Sequence, residues 1–275
     1  MVIPIHDDNP TGRRAVVTVL LVAINVGVFF LLQPQDSTTD AGVIEQVEFN
    51  FQYAAIPCEV VEGRPLSEEE LIRTLQGGDS SACVNEPTTR EVFPDKQVWL
   101  AVLSSMFLHG GLLHLGGNML FLWIFGNNIE DHLGHFRYLL FYVAGGIVAT
   151  GAHIAVQPDS TVPLVGASGA VAGVMGAYLV WFPRAPIKTI VFFFLITFVE
   201  IQARWLLGIW FVSQFFIGAN QGVAWMAHVG GFVFGVAVAL LVKASRRASH
   251  AIWTKDHWSE LERPRSGPHD DFGLR

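Results

Sequence analysis

The sequence predicts an all-α membrane protein in which six membrane-spanning helices form a bundle, with a long exported loop between the first helix and the second. Three observations carry this prediction. The 275 residues are 51% hydrophobic and only 15% charged, whereas water-soluble chains carry about 25% charge. Apolar runs of near-spanning length recur along the chain. Lys and Arg, which cross membranes poorly, fall beside alternate runs.

The runs follow in order. Residues 15–32 carry no charge over 18 positions, and no small-residue cleavage site follows, so they read as an anchor and not a cleaved signal peptide. Residues 112–126 give the second run. Residues 138–156 give the third, 19 long, with His153 as its only group titrating near neutral pH. The fourth, fifth and sixth are residues 165–182, 205–218 and 223–242. Residues 187–199 are apolar but only 13 long, and read as interfacial or re-entrant; if they span, the count becomes seven.

Arg13, Arg14, Arg137, Arg184, Lys188, Lys243, Arg246 and Arg247 all fall on one side of this arrangement, and the loops 157–163 and 219–222 contain neither Lys nor Arg. Both termini are therefore expected in the cytoplasm of a multi-pass cell-membrane protein. The expected division is a cytoplasmic tail (1–14), helix one (15–32), an acidic exported loop (33–98), a core of helices two to six (99–243) and a disordered cytoplasmic tail (244–275).

The exported loop holds 13 acidic against 4 basic residues, a local charge of −9 beside −7 for the whole chain. Residues 67–76, "SEEELIRTLQ", have the pattern of a short amphipathic helix. Both cysteines, Cys58 and Cys83, lie in this loop. In an oxidising compartment such a pair forms a disulfide or persists as two thiols, and the sequence leaves both open. No Gly-rich phosphate loop, CxxC metal pair or basic aromatic surface is present, which removes nucleotide, zinc-ribbon and nucleic-acid functions.

Chemistry is then expected among polar groups at membrane depth, where each costs free energy unless it has a partner or a task. Three places stand out: His109, His114 and Asn118 before and within the second run; "GASG" at residues 166–169; and His228 with Gly231 and Gly235 in the sixth. Each has a plain structural reading, because Gly169, Gly231 and Gly235 let helices approach closely and Asn118 can bond between helices. Depth changes the balance. A helix from Ser168 to just before Pro183 rises about 22 Å against a hydrocarbon core of about 30 Å. The loop before Ser168 must then descend into the protein, which is tolerated beside protein or a water-filled cavity.

His114 and Asn118, four apart, share a helix face, and the orientation brings the Ser168, His228 and His109 ends of their helices to one level. A serine hydroxyl becomes a useful nucleophile when an imidazole accepts its proton. His228 is the candidate base, and His114, Asn118 and backbone N–H groups near Gly166 are candidate donors to a developing oxyanion. No Asp or Glu lies in the outer halves of these helices, so the reading is a Ser–His dyad.

Taken in this order, H-x-x-x-N (His114, Asn118) after His109, G-x-S-G (Gly166, Ser168, Gly169) and A-H-x-x-G-x-x-x-G (Ala227, His228, Gly231, Gly235), the residues resemble the rhomboid family of intramembrane serine proteases over about residues 99–242. The resemblance implies a six-helix core, Ser168 as nucleophile, His228 as base and an oxyanion site from His114 and Asn118. It also implies membrane-spanning protein substrates cut on the outer side, and neither metal nor organic cofactor. Two departures are plain. Ala172 stands four residues after the serine, where the family often has an aromatic residue, and Trp99 is followed by Leu100 where the family often has Trp-Arg. Two other readings stay open: a rhomboid-like binder of membrane helices that does not cut, and a transporter with a polar path of histidines.

Overall fold

The computed structural model describes residues 2–36, 38–192, 196–216 and 224–261. Each of the six apolar runs contains a helix among its described residues, but their lengths divide them. Helices α7 (His135–Val156) and α10 (Trp225–Leu261, apolar over Trp225–Ser245) are long and apolar enough to cross a membrane. The pair α5 (Val98–Ser104, extended by a 3₁₀ turn to Phe107) and α6 (Leu112–Leu133) makes a third, bent by 80° at its break. Helices α1 (Val16–Leu31) and α8 (Ser168–Trp181) have 16 and 14 residues, and α9 (Ala203–Gln214) has 12.

Helix α8 lies at the centre. Every residue from Gly169 to Tyr178 is buried, and the helix packs against α6, α7, α9 and α10. A helix apolar on all sides belongs inside a bundle. The approach of α10 is at backbone contact: a Cβ on Gly231 would collide with the Gly169 carbonyl oxygen, and one on Gly235 with that of Gly173. Helix α1, whose N-cap Ala15 has no side-chain acceptor, is capped from α6 instead. The buried Glu130 carboxylate accepts the Val17 and Thr18 N–H groups, both at 2.8 Å, which suits an anion at a helix N-terminus.

The chain is not all-α. Of residues 187–199, expected to be interfacial or re-entrant, 187–192 and 196–199 lie in the paired antiparallel strands β2 (Pro186–Phe192) and β3 (Ile196–Gln202) and 193–195 lie outside the described residues; β2 also pairs with β1 (Val2–Asp7) in a sheet ordered β1-β2-β3. The run is rich in Ile, Val, Thr and Phe, which favour strands, and a short apolar run alone does not separate strand from helix. Helix α10 continues through Leu261, past residue 244 where the disordered tail was expected to begin, because Ala, Lys, Arg and Glu there favour helix even without an apolar stripe. Residues 262–275 of that tail lie outside the described residues.

The segment between α1 and α5 has structure of its own. It contains α2 (Asp40–Tyr53), capped by the Thr39 hydroxyl, α3 (Pro57–Glu62) and α4 (Glu68–Leu75), whose Ser67 and Glu70 form a reciprocal capping box. Phe51, Ile56, Cys58 and Leu66 form its small core. Beside them the buried Lys96 ammonium lies 2.5 Å from Glu59 and donates to the Phe51 carbonyl. Cys58 and Cys83 are joined in a disulfide, with their Cα atoms 5.7 Å apart. Burial alone would raise the Glu70 carboxyl, but the Arg64 guanidinium and the N–H groups of Ser67 and Val84 outweigh it and hold the group at about 2.

Candidate active site

Ser168 is the first residue of α8, and its N–H has no carbonyl one turn earlier within the helix to bond. The loop before it turns at Gly166, where φ is +126° and a Cβ would lie 2.9 Å from the His114 ring and 3.6 Å from the Ser168 hydroxyl oxygen. Only glycine allows both that backbone conformation and that approach. The Gly166 N–H donates to the Ser105 carbonyl at 2.9 Å, which fixes the turn.

The Ser168 Oγ lies 2.9 Å from His228 Nε2, on the first turns of α10. His228 Nδ1 lies 2.8 Å from the amide oxygen of Gln214, at the end of α9. Gln214 is itself oriented, because its Nε2 donates to the Trp210 carbonyl at 3.0 Å and so turns Oε1 toward the imidazole. An Nδ1–H donating to that oxygen leaves Nε2 as the acceptor facing serine. The Trp210 ring, carried on α9, has its centroid 5.9 Å from that of the His228 ring. The buried Ala172 contributes no ring, and Trp210 from α9 supplies an aromatic neighbour in its stead.

His114 Nδ1 accepts the Gly110 N–H at 3.3 Å, which leaves Nε2, beside Gly166, free to donate. Asn118 spends one amide hydrogen on the His114 carbonyl at 3.0 Å and retains another. Both residues, with Ser168, His228, His153 and Trp210, line one cavity of about 770 Å³. Among the described residues no Asp, Glu, Lys or Arg lines it. Such a site can activate a hydroxyl and stabilise a developing oxyanion with neutral donors.

His109 does not line this cavity. It is buried, packs edge-on against His114 at 5.2 Å between ring centroids, and exchanges two backbone bonds with the Gln33 side chain. Gly169, Gly231 and Gly235 sit in the α8–α10 contact, and Cys58 and Cys83 lie in the segment between α1 and α5. Sequence reasoning missed Gln214, Trp210 and the place of His153 in the cavity wall. A lone amide in the apolar stretch "WLLGIWFVSQFF" was the available signal for Gln214, since an unpaired amide is costly there.

The fold and site define a helical membrane protein with a serine–histidine pair on the wall of a cavity. Residues 95–245, more than half of the chain, match the Rhomboid domain model, and the chain belongs to the rhomboid family. It is 30% identical to Rhomboid-type serine protease 2 of Emericella nidulans over 56% of this chain and 29% of that one. It is also 30% identical to Rhomboid protease GluP of Bacillus subtilis, over 54% and 28%, and 34% identical to the mitochondrial Rhomboid protein 1 of Saccharomyces cerevisiae, over 34% and 28%. The chain thus spans under a third of the length of these relatives.

Proposed function

We propose that this protein is an intramembrane serine endopeptidase that cuts membrane-spanning protein segments with Ser168 and His228. The observation that carries this reading is the 2.9 Å contact between Ser168 Oγ and His228 Nε2 beside a cavity that offers the donors of His114 and Asn118. As the serine oxygen attacks a peptide carbonyl, its proton passes to His228 Nε2, while Gln214 holds the imidazole through Nδ1–H. The oxyanion forms against His114 Nε2–H, Asn118 Nδ2–H and the Ser168 N–H. The imidazolium then protonates the leaving amine, and water activated by the same base releases the acyl group.

In this reading six helices, α1 and α6 to α10, occupy the bilayer. The short α8 is tolerated because helices surround it and its N-terminal loop lines a cavity. Lys and Arg placement puts both termini in the cytoplasm, the segment 33–98 on the outer side of the cell membrane and the cavity open to that side. The partners are transmembrane protein substrates and the lipid bilayer. The scissile segment must leave its helix before attack, so Gly or Pro near the cut should favour cleavage.

The test is cleavage of a model transmembrane substrate in proteoliposomes, with fluorophosphonate labelling of the serine. Wild type is expected to cleave and label, and Ser168→Ala and His228→Ala to lose turnover by about 10³-fold or more. A folded wild type that neither cleaves nor labels refutes the reading and favours a membrane-helix binder.

A further inference from the structure

The loop 157–167 delivers Ser168, and its hydrogen bonds lead out of the helical core. The Leu164 N–H donates to the Ala55 carbonyl at 2.8 Å, the Cys58 N–H to the Ser160 carbonyl at 2.9 Å, and the Thr161 N–H to the Ser80 carbonyl at 3.0 Å. The hydroxyls of Thr74 and Thr161 lie 2.6 Å apart, and Thr161 is fully buried. Ala55 and Leu164 pair as an isolated antiparallel bridge. The three backbone docking residues, Ala55, Cys58 and Ser80, therefore sit on two stretches, 55–58 and 80–83, which the Cys58–Cys83 bond ties together, while Thr74 adds a hydroxyl from α4. Ser80 also forms part of the cavity wall.

Within the loop itself the Ser160 N–H donates to the Gln157 carbonyl at 3.2 Å and the Val162 N–H to the Ser160 hydroxyl at 3.3 Å, bonds that shape the turn without anchoring it to another element. The Gly166 bond to Ser105 secures the last residues, and the stretch from Ser160 to Leu164 depends on the segment between α1 and α5. A loop held by four bonds to one small body moves when that body moves. Displacements of about 1 Å in a catalytic arrangement cost up to about 100-fold in rate, so looseness here should reach Ser168 and the donors next to it.

We propose that residues 39–98 form a positioning brace for the nucleophile loop, with the Cys58–Cys83 disulfide as its lock and Thr161 as the positioning residue on the loop side. The inference rests on the protease reading above. The brace acts on turnover and not on capture of the substrate in the bilayer. Opening the lock with dithiothreitol sends two electrons and two protons to the cysteine sulfurs and leaves the dithiol as its cyclic disulfide.

The experiment uses the full chain in proteoliposomes. Reduction, with the two freed thiols verified by alkylation, is expected to lower kcat about tenfold while KM stays within about twofold. A Cys58→Ser/Cys83→Ser double variant should show the same kcat and no response to dithiothreitol. Thr161→Val should lower kcat about threefold, and Thr161→Ser, which keeps the hydroxyl, should restore it. An unchanged kcat after verified reduction overturns the proposal. Hydrogen exchange at the amides of residues 158–167 reads the brace without any activity. Faster exchange on reduction supports it even if wild type proves unable to cleave, in which case only the protease reading fails. Unchanged exchange there overturns it.

Discussion

The two ends of α8 treat polar groups in opposite ways. At the Trp181 end the groups are spent on one another: the Tyr178 hydroxyl donates to Asp7 Oδ2 at 2.5 Å, Asn128 Nδ2 donates to the same oxygen at 2.6 Å, and Asn9 donates to Asn128 at 2.7 Å. Burial pushes the Asp7 carboxyl above its usual range despite the Tyr178 bond. At the Ser168 end His114 and Asn118 keep hydrogens in hand, and a buried ring nitrogen of His153 has no partner among the described residues. Buried polar groups normally find partners, so in the proposed reading the open cluster beside the cavity serves a ligand, whereas the closed cluster holds the structure together.

The contrast breaks first at Gly166. Gly166→Ala places a methyl against the His114 ring in a backbone conformation that disfavours it, and kcat should fall about 100-fold with the protein still folded. Next, Gln214→Leu removes the Nδ1 acceptor of His228; cleavage kinetics should show kcat lower by about tenfold with KM little changed. At the other end the signature should reverse. Tyr178→Phe leaves Asp7 without one donor, so stability in a detergent unfolding titration should drop by about 1–3 kcal/mol while kcat stays within about twofold. The smallest effect concerns the saturated Glu70 cluster. Its carboxyl is held near 2 in the folded state against an ordinary 4.5. The stability it contributes is present above 4.5 and is lost as pH falls from there toward 2. Limited pepsin digestion should nick residues 39–98 increasingly over that range, and Arg64→Met should weaken the trend.

Legibility followed the same division. His114, Asn118, Ser168 and His228 were readable because a polar group at membrane depth is conspicuous in a single sequence. The glycines that bring α8 and α10 together were readable because their spacing matches a helix face. Gln214 was not, since finding it requires knowing that the end of α9 reaches the start of α10. The strands β2 and β3 were hidden because their partner β1 lies at the far end of the chain, and no local sequence pattern names one to the other. The amphipathic pattern of residues 67–76 was visible locally, but the docking of its subdomain on residues 160–164 depends on backbone groups that every residue has.

The bond from Asp7 to Tyr178 joins positions 171 apart in sequence. During synthesis at about 5–20 residues per second, roughly ten to thirty-five seconds separate the two. Strand β1 is thus made early, yet it can pair only after α8 and β2 have emerged. The lock at that end of the bundle closes late in assembly, and its closure marks a chain whose central helix is already in place.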